Sequence, residues 1–123
     1  MELPSNKNIF YVWHTQPIVN AQGHITGIHG TFGLTACEFP AHYKQVAAVI
    51  GMDLNEVFVQ TQHGPGGPWH HNPELMAVAG PVRSTSIGDV ILGMDGVYVV
   101  APRGFHKVAD TVGMLPITIP ELY

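Results

Sequence analysis

Residues 83–109, RSTSIGDVILGMDGVYVVAPRGFHKVA, restrict the fold more than any other part of the chain. Apolar, β-branched runs alternate here with turn residues at short intervals. Residues 89–92 read as a strand, Met94, Asp95 and Gly96 as a hairpin turn, and residues 97–101 as the returning strand. Arg103 and Gly104 mark a second turn, and residues 105–109 a third strand. Such a run predicts an antiparallel β-meander. Fourteen glycines and ten prolines among 123 residues agree, since they favour short elements and many turns over a helical bundle.

Upstream, NIFYVWHT (residues 8–15) is rich in β-branched and aromatic residues and predicts an N-terminal strand that places Trp13 in the core. Short β pieces around Ile18-Val19 and residues 24–28, joined by a turn at 21–23, fit the glycine-punctuated segment that follows. In PAHYKQVAAVIG (residues 40–51), Pro40 suits a first helical turn. Tyr43, Val46, Ala47 and Ile50 recur at helical spacing, and Gly51 suits the C-terminal cap. A second helix is predicted from DLNEVFVQTQ, with Asp53 as N-cap, Glu56 completing a capping-box pattern, and Leu54, Val57 and Phe58 facing inward. Residues 74–80 read as a short strand or one helical turn, and residues 115–120 as an edge strand. The expected architecture is one α+β domain spanning residues 1–123: an N-terminal strand, two short helices, then the C-terminal antiparallel meander.

Composition narrows the functions. With 46% hydrophobic and 11% charged residues the chain has ample material for a core, which excludes general disorder. Five basic residues against nine acidic ones give a formal net charge of −4, unsuited to broad binding of phosphate backbones. The local exception is Arg83, Arg103 and Lys107, which leaves a small basic patch as an alternative. Cys37 is the only cysteine, so no intramolecular disulfide forms. No apolar run approaches the ~20 residues of a membrane helix. The N-terminal MELPSNKN lacks the pattern of an export signal. The expectation is a cytoplasmic protein with no membrane partner.

Three of the eight histidines lie in QHGPGGPWHHNPEL (residues 62–75), where His63, His70 and His71 with Glu74, and His14, His24 and His29 from elsewhere, offer donor atoms for an ion such as zinc. Adjacent His70 and His71 point apart on any regular element, and the His-x-x-x-His spacing of helical zinc sites is missing. A constrained loop presenting Trp69, His70 and His71 for contact is the preferred reading, without cofactor or metal; a metal-dependent enzyme is the alternative. GPGGP lacks the Gly-Lys-Ser/Thr ending of a phosphate cradle. Cys37 with His42 falls short of a nucleophile–base pair, since nothing in the spacing provides an oxyanion pocket. Ser84, Thr85 and Ser86 before Gly88-Asp89 read either as turn chemistry or, with Arg83, as a polar contact surface. Arg and aromatic residues anchor many interfaces, so Trp69, Arg83 and Phe105 are the candidate anchors.

The segment RSTSIGDVILGMDGVYVVAPRGFHKV (residues 83–108) resembles the C-terminal signature of small proteins carried by bacterial plasmids, phages and other mobile elements, the YodL-like families. The matching positions are Arg83, Ser84, Ser86, Gly88, Asp89, Val90, Tyr98, Gly104, Phe105 and Val108. FYVWHT, VFVQTQ and GPWHHNP are similar to the upstream layout of those proteins. The resemblance implies the setting of a mobile element and carries no activity of its own. Together with the lack of a coherent catalytic set and an acidic, low-charge surface suited to protein contact, it leads to the expectation of a non-enzymatic accessory protein that binds a macromolecular partner, a protein before a nucleic acid, with inhibition of a host defence as one version. A Ser-x-Gly-Asp-Val turn feeding a hairpin is also similar to RNA-binding modules of the PUA and ASCH type, which keeps a nucleic-acid-binding module open.

Overall fold

The computed structural model describes residues 8–19, 22, 25–28, 37–64, 68–69, 75–78 and 82–119. Their strands are, in chain order, β1 (Asn8–Thr15), β2 (Pro17–Val19), β3 (Ile25–Ile28), β4 (Cys37–Phe39), β5 (Tyr43–Gly51), β6 (Leu75–Val78), β7 (Val90–Gly93), β8 (Gly96–Val100), β9 (Phe105–Ala109) and β10 (Ile117–Ile119). One α-helix, α1 (Leu54–Gln60), lies between β5 and β6, and a 3-10 turn (Val112–Met114) precedes β10. Six strands make one antiparallel sheet in the order β6-β5-β1-β7-β8-β9, while β2–β3 and β4–β10 form two-stranded ribbons. The described residues are thus mostly antiparallel sheet with one α-helix.

The meander forms as predicted, with β7 and β8 closing on the Gly93–Gly96 pair around Met94 and Asp95. Gly96 is required by close approach: a Cβ there would lie 2.9 Å from the carbonyl oxygen of Ala109 on the neighbouring strand. The β2–β3 ribbon occupies the segment where two short β pieces were expected.

Residues 40–51 overturn an expectation: they form a turn and then β5, not a helix. Pro40 sits in that turn, where Glu38 O accepts from His42 N (2.9 Å) and Pro40 O from Tyr43 N (2.9 Å). β5 lies inside the sheet between β1 and β6, so Val46, Ala47, Ala48 and Val49 are all buried. A strand buried on both faces reads as a continuous apolar run, and such a run fits helical spacing as well as strand spacing. A bulge hides the alternation further. Val12 pairs with Ala47 and Trp13 with Gln45, leaving Val46 as an extra residue, and Val46 and Ala47 join the same apolar cluster.

Alternation along the strands builds a core on each face of the sheet. Val90, Leu92, Val97 and Val99 pack under the β4–β10 ribbon, which contributes Phe39, Ile117 and Ile119. Phe39 meets Trp13 and Tyr43 edge-on at centroid distances of 5.3 and 5.1 Å. Phe10, Val12, Val49, Ile91 and Trp69 form the other core, covered by Val57, Leu54 and Phe58 of α1. Burying each of these large side chains stabilises the fold by about 1.5–3 kcal/mol. α1 starts where Asp53 Oδ1 accepts from Glu56 N (2.9 Å) and ends where Thr61 Oγ1 donates back to Val57 O (3.0 Å). At seven residues it is only about 10 Å long, too short to cover its whole face of the sheet.

Candidate functional site

Residues 82–89, which feed β7, pass the end of β1 and meet it in a polar network centred on Asp89. Asp89 is fully buried. Its Oδ1 accepts from Thr15 N (2.9 Å) and Arg83 Nη2 (2.8 Å), and its Oδ2 from Ser86 N (2.7 Å) and Arg83 Nη1 (2.6 Å). The Arg83 pairing is the bidentate fork that suits guanidinium to carboxylate. The same guanidinium donates to Thr15 Oγ1 (3.2 Å), Ser84 O (3.0 Å) and Ser86 Oγ (3.2 Å). Gly88 takes a φ of 93°, open to glycine and strained for other residues, and its carbonyl accepts from Tyr43 OH at 2.7 Å. Val100 N donates to Asp89 O (2.8 Å), tying the turn to β8.

His14 extends the network inward. It follows Phe10 and Val12 on the inward face of β1, is 2% exposed, and shares a hydrogen bond with Thr85 Oγ1 at 2.9 Å. Its Nε2 lies 3.7 Å from Asp89 Oδ2. Burial lowers its pKa to about 4; Asp89 acts in the opposite direction and Arg83 reinforces the lowering. The imidazole is therefore neutral at pH 7. A neutral imidazole beside a hydroxyl is the beginning of a nucleophile–base pair, but Thr85 is 1% exposed and its oxygen is closed to substrate. An open cleft of about 290 Å³ lies beside this network, lined by His14, Thr15, Gln16, Lys44, Val46, Val82 and Arg83.

The predicted site residues separate. Arg83, Ser84 and Ser86 belong to the network, and Ser84 Oγ accepts from His63 N at 2.8 Å. Trp69 also joins it: its indole Nε1 donates to Arg83 O (2.7 Å), its backbone N to His63 Nδ1 (3.0 Å), and its ring meets His14 edge-on. At 3% exposure Trp69 is a core residue, which corrects the expectation of a loop presenting it for contact. The ring is drawn inward because a large aromatic with one satisfied donor gains more from burial than from solvent. His70 and His71 lie outside the described residues. Among the described residues no three His, Cys, Asp or Glu side chains gather as a metal site. His42 Nδ1 accepts from Glu38 N (3.0 Å), closing the β4–β5 turn. Lys107 pairs with Asp110 at 3.3 Å.

Phe105 lies elsewhere, beside α1, where its ring meets Phe58 edge-on at 6.2 Å. It lines two adjoining clefts that share Asn55, one of about 610 Å³ and one of about 320 Å³. Met52, Asp53, Met94, Asp95 and Tyr98 line the larger; Ile87, Val100 and Pro102 line the smaller. Met52 and Met94 are 49% and 80% exposed. This groove was not anticipated beyond Phe105, because its walls come from β1, α1, the β7–β8 turn and β9, which only the folded sheet brings together. No helix among the described residues is long and apolar enough to cross a membrane. Comparison with family models, curated proteins and solved structures gave no match to this chain.

Proposed function

We propose that this chain is a small non-enzymatic accessory protein of a mobile genetic element that acts by binding a protein partner, with inhibition of a host defence component as the specific version. The setting rests on the resemblance of residues 83–108 to the YodL-like signature. One observation carries the mode of action: the polar residues of that signature are spent internally on Asp89, while an open groove of mixed apolar and acidic lining lies beside α1. Arg83 donates to four groups of its own chain besides the carboxylate contacts, Ser84 O, Ser86 Oγ, Thr15 O and Thr15 Oγ1, so little of it is left for a phosphate. Lys107 is likewise engaged, by Asp110, which weighs against a nucleic-acid surface built on Arg83, Arg103 and Lys107.

A tagged pull-down from lysate of the native host, with and without nuclease, tests this reading. The expected result is a stoichiometric protein that survives nuclease treatment. Recovery of nucleic acid, or of proteins lost with nuclease, transfers the function to nucleic-acid binding; recovery of the bait alone refutes partner binding.

A further inference from the structure

We infer that the groove beside α1 is the docking site for a short protein segment that combines apolar side chains with a lysine or arginine. This deepens the reading above and rests on it. The groove exists because α1 is too short to cover its face of the sheet, leaving Tyr98 and Phe105 half-buried beside the buried Phe10 as its floor. Two methionines line it, Met52 half-exposed and Met94 largely in solvent. Unbranched thioether side chains adapt their shape to a partner and are common at peptide-binding surfaces.

Charge selects the occupant. Asp53 and Asp95 line the larger cleft, and no lysine or arginine does so among the described residues. Asp53 Oδ1 caps α1 and Asp95 Oδ2 accepts from Tyr98 OH (3.0 Å), so each carboxylate keeps a second oxygen for a ligand. Both side chains are exposed, and the nearby cation Lys107 is already paired with Asp110. An apolar floor with an acidic rim is complementary to an apolar segment carrying a positive charge. The smaller cleft continues past Phe105 with Phe58, Ile87 and Pro102 and, among the described residues, no charged one, giving room for a second apolar anchor.

The test is a displayed library of random 12-residue peptides panned against the full chain, followed by titration of the enriched peptide, fluorescently labelled. Enrichment of sequences with two apolar or aromatic residues and a Lys or Arg is expected. Met94→Lys, at a largely exposed position, should weaken that peptide about tenfold or more, because it removes an apolar contact and sets a positive charge against the peptide's own Lys or Arg. Asp53→Asn with Asp95→Asn preserves the helix cap and the turn, and should weaken it about threefold to tenfold while flattening its salt dependence. No enrichment, or peptides that bind these variants as well as the wild type, overturns the inference. So does self-association abolished by Met94→Lys, which would assign the groove to a second copy. A nuclease-resistant partner retained by the groove variants would also overturn it while leaving the partner-binding function intact.

Discussion

Asp89→Asn is the change that most directly tests the role assigned to the signature segment. The substitution keeps size and shape. It leaves one oxygen able to accept, and turns the other into an NH2 group facing two donors: either Thr15 N and Arg83 Nη2, or Ser86 N and Arg83 Nη1. Each buried donor left without an acceptor costs about 1–3 kcal/mol. Arg83 loses its counter-charge as well, but its side chain is 44% exposed and water screens most of that term. The sum is about 3–5 kcal/mol, the range for breaking a buried pair from its inner side. Against the 5–15 kcal/mol that stabilises most domains, this is a large fraction. Urea denaturation followed by tryptophan fluorescence should show the midpoint falling at an unchanged slope. Arg83→Met should cost a similar amount, since it leaves the buried carboxylate with two backbone N–H groups but no counter-charge, and the double variant should fall short of the sum of the single ones by about 1.5–3 kcal/mol. A loss below about 1 kcal/mol for Asp89→Asn would refute the view that this network holds the fold together.

Three further outcomes follow from the same geometry. His14, whose folded pKa is lowered to about 4 from an ordinary 6.5, binds its proton more readily when unfolded; stability should therefore be full above pH 6.5 and fall toward pH 4, by about 2 kcal/mol at pH 5, with a flatter profile in His14→Gln on urea titration at both pH values. Trp69→Phe removes the donor to Arg83 O while keeping an aromatic ring in the core, and should cost about 1–2 kcal/mol by thermal denaturation, with little change in partner capture because Trp69 is buried. Gly88→Ala forces a side chain onto a φ of 93° and should cost about 1–2 kcal/mol by the same assay, whereas Gly64→Ala, with open space around it, should be near neutral.

How much of this was legible depended on the range of the interactions. The meander is local: its turns and apolar runs lie within one segment, and it formed where the sequence placed it. α1 was legible for the same reason, with its cap and inward face set by residues a few positions apart. β5 was not, because the residues that make it a central strand are its neighbours β1 and β6, and a bulge at Val46 broke the alternation that would have marked it. His14 left a signal that could have been followed: it continues the inward series Phe10, Val12 in β1, so a strand reading already pointed it into the core. Its partners Thr85 and Asp89 lie more than 70 positions away, and spacing cannot bring them together. Trp69 misled because its turn-rich surroundings suggest a surface loop, although the ring is enclosed by residues from distant elements.

Arg83, Ser86, Gly88 and Asp89 fasten the entry to β7 against the end of β1, and Tyr43 and Val100 bind the same turn from two other strands. A segment with so many obligations is tightly specified by the fold and has little freedom left to encode a partner. The groove has the opposite character. Met52, Asp53, Met94 and Asp95 are exposed and lie at the cap of α1 or at the tip of a hairpin; provided residue 53 stays one that can cap the helix, they can change with small cost to stability. Chains sharing the 83–108 pattern are thus expected to share this sheet without sharing a partner, and the groove residues are where their specificities should diverge. Exchanging those four residues between two such chains should move peptide preference and leave the urea midpoint nearly in place; exchanging Arg83 and Asp89 for apolar residues should do the reverse.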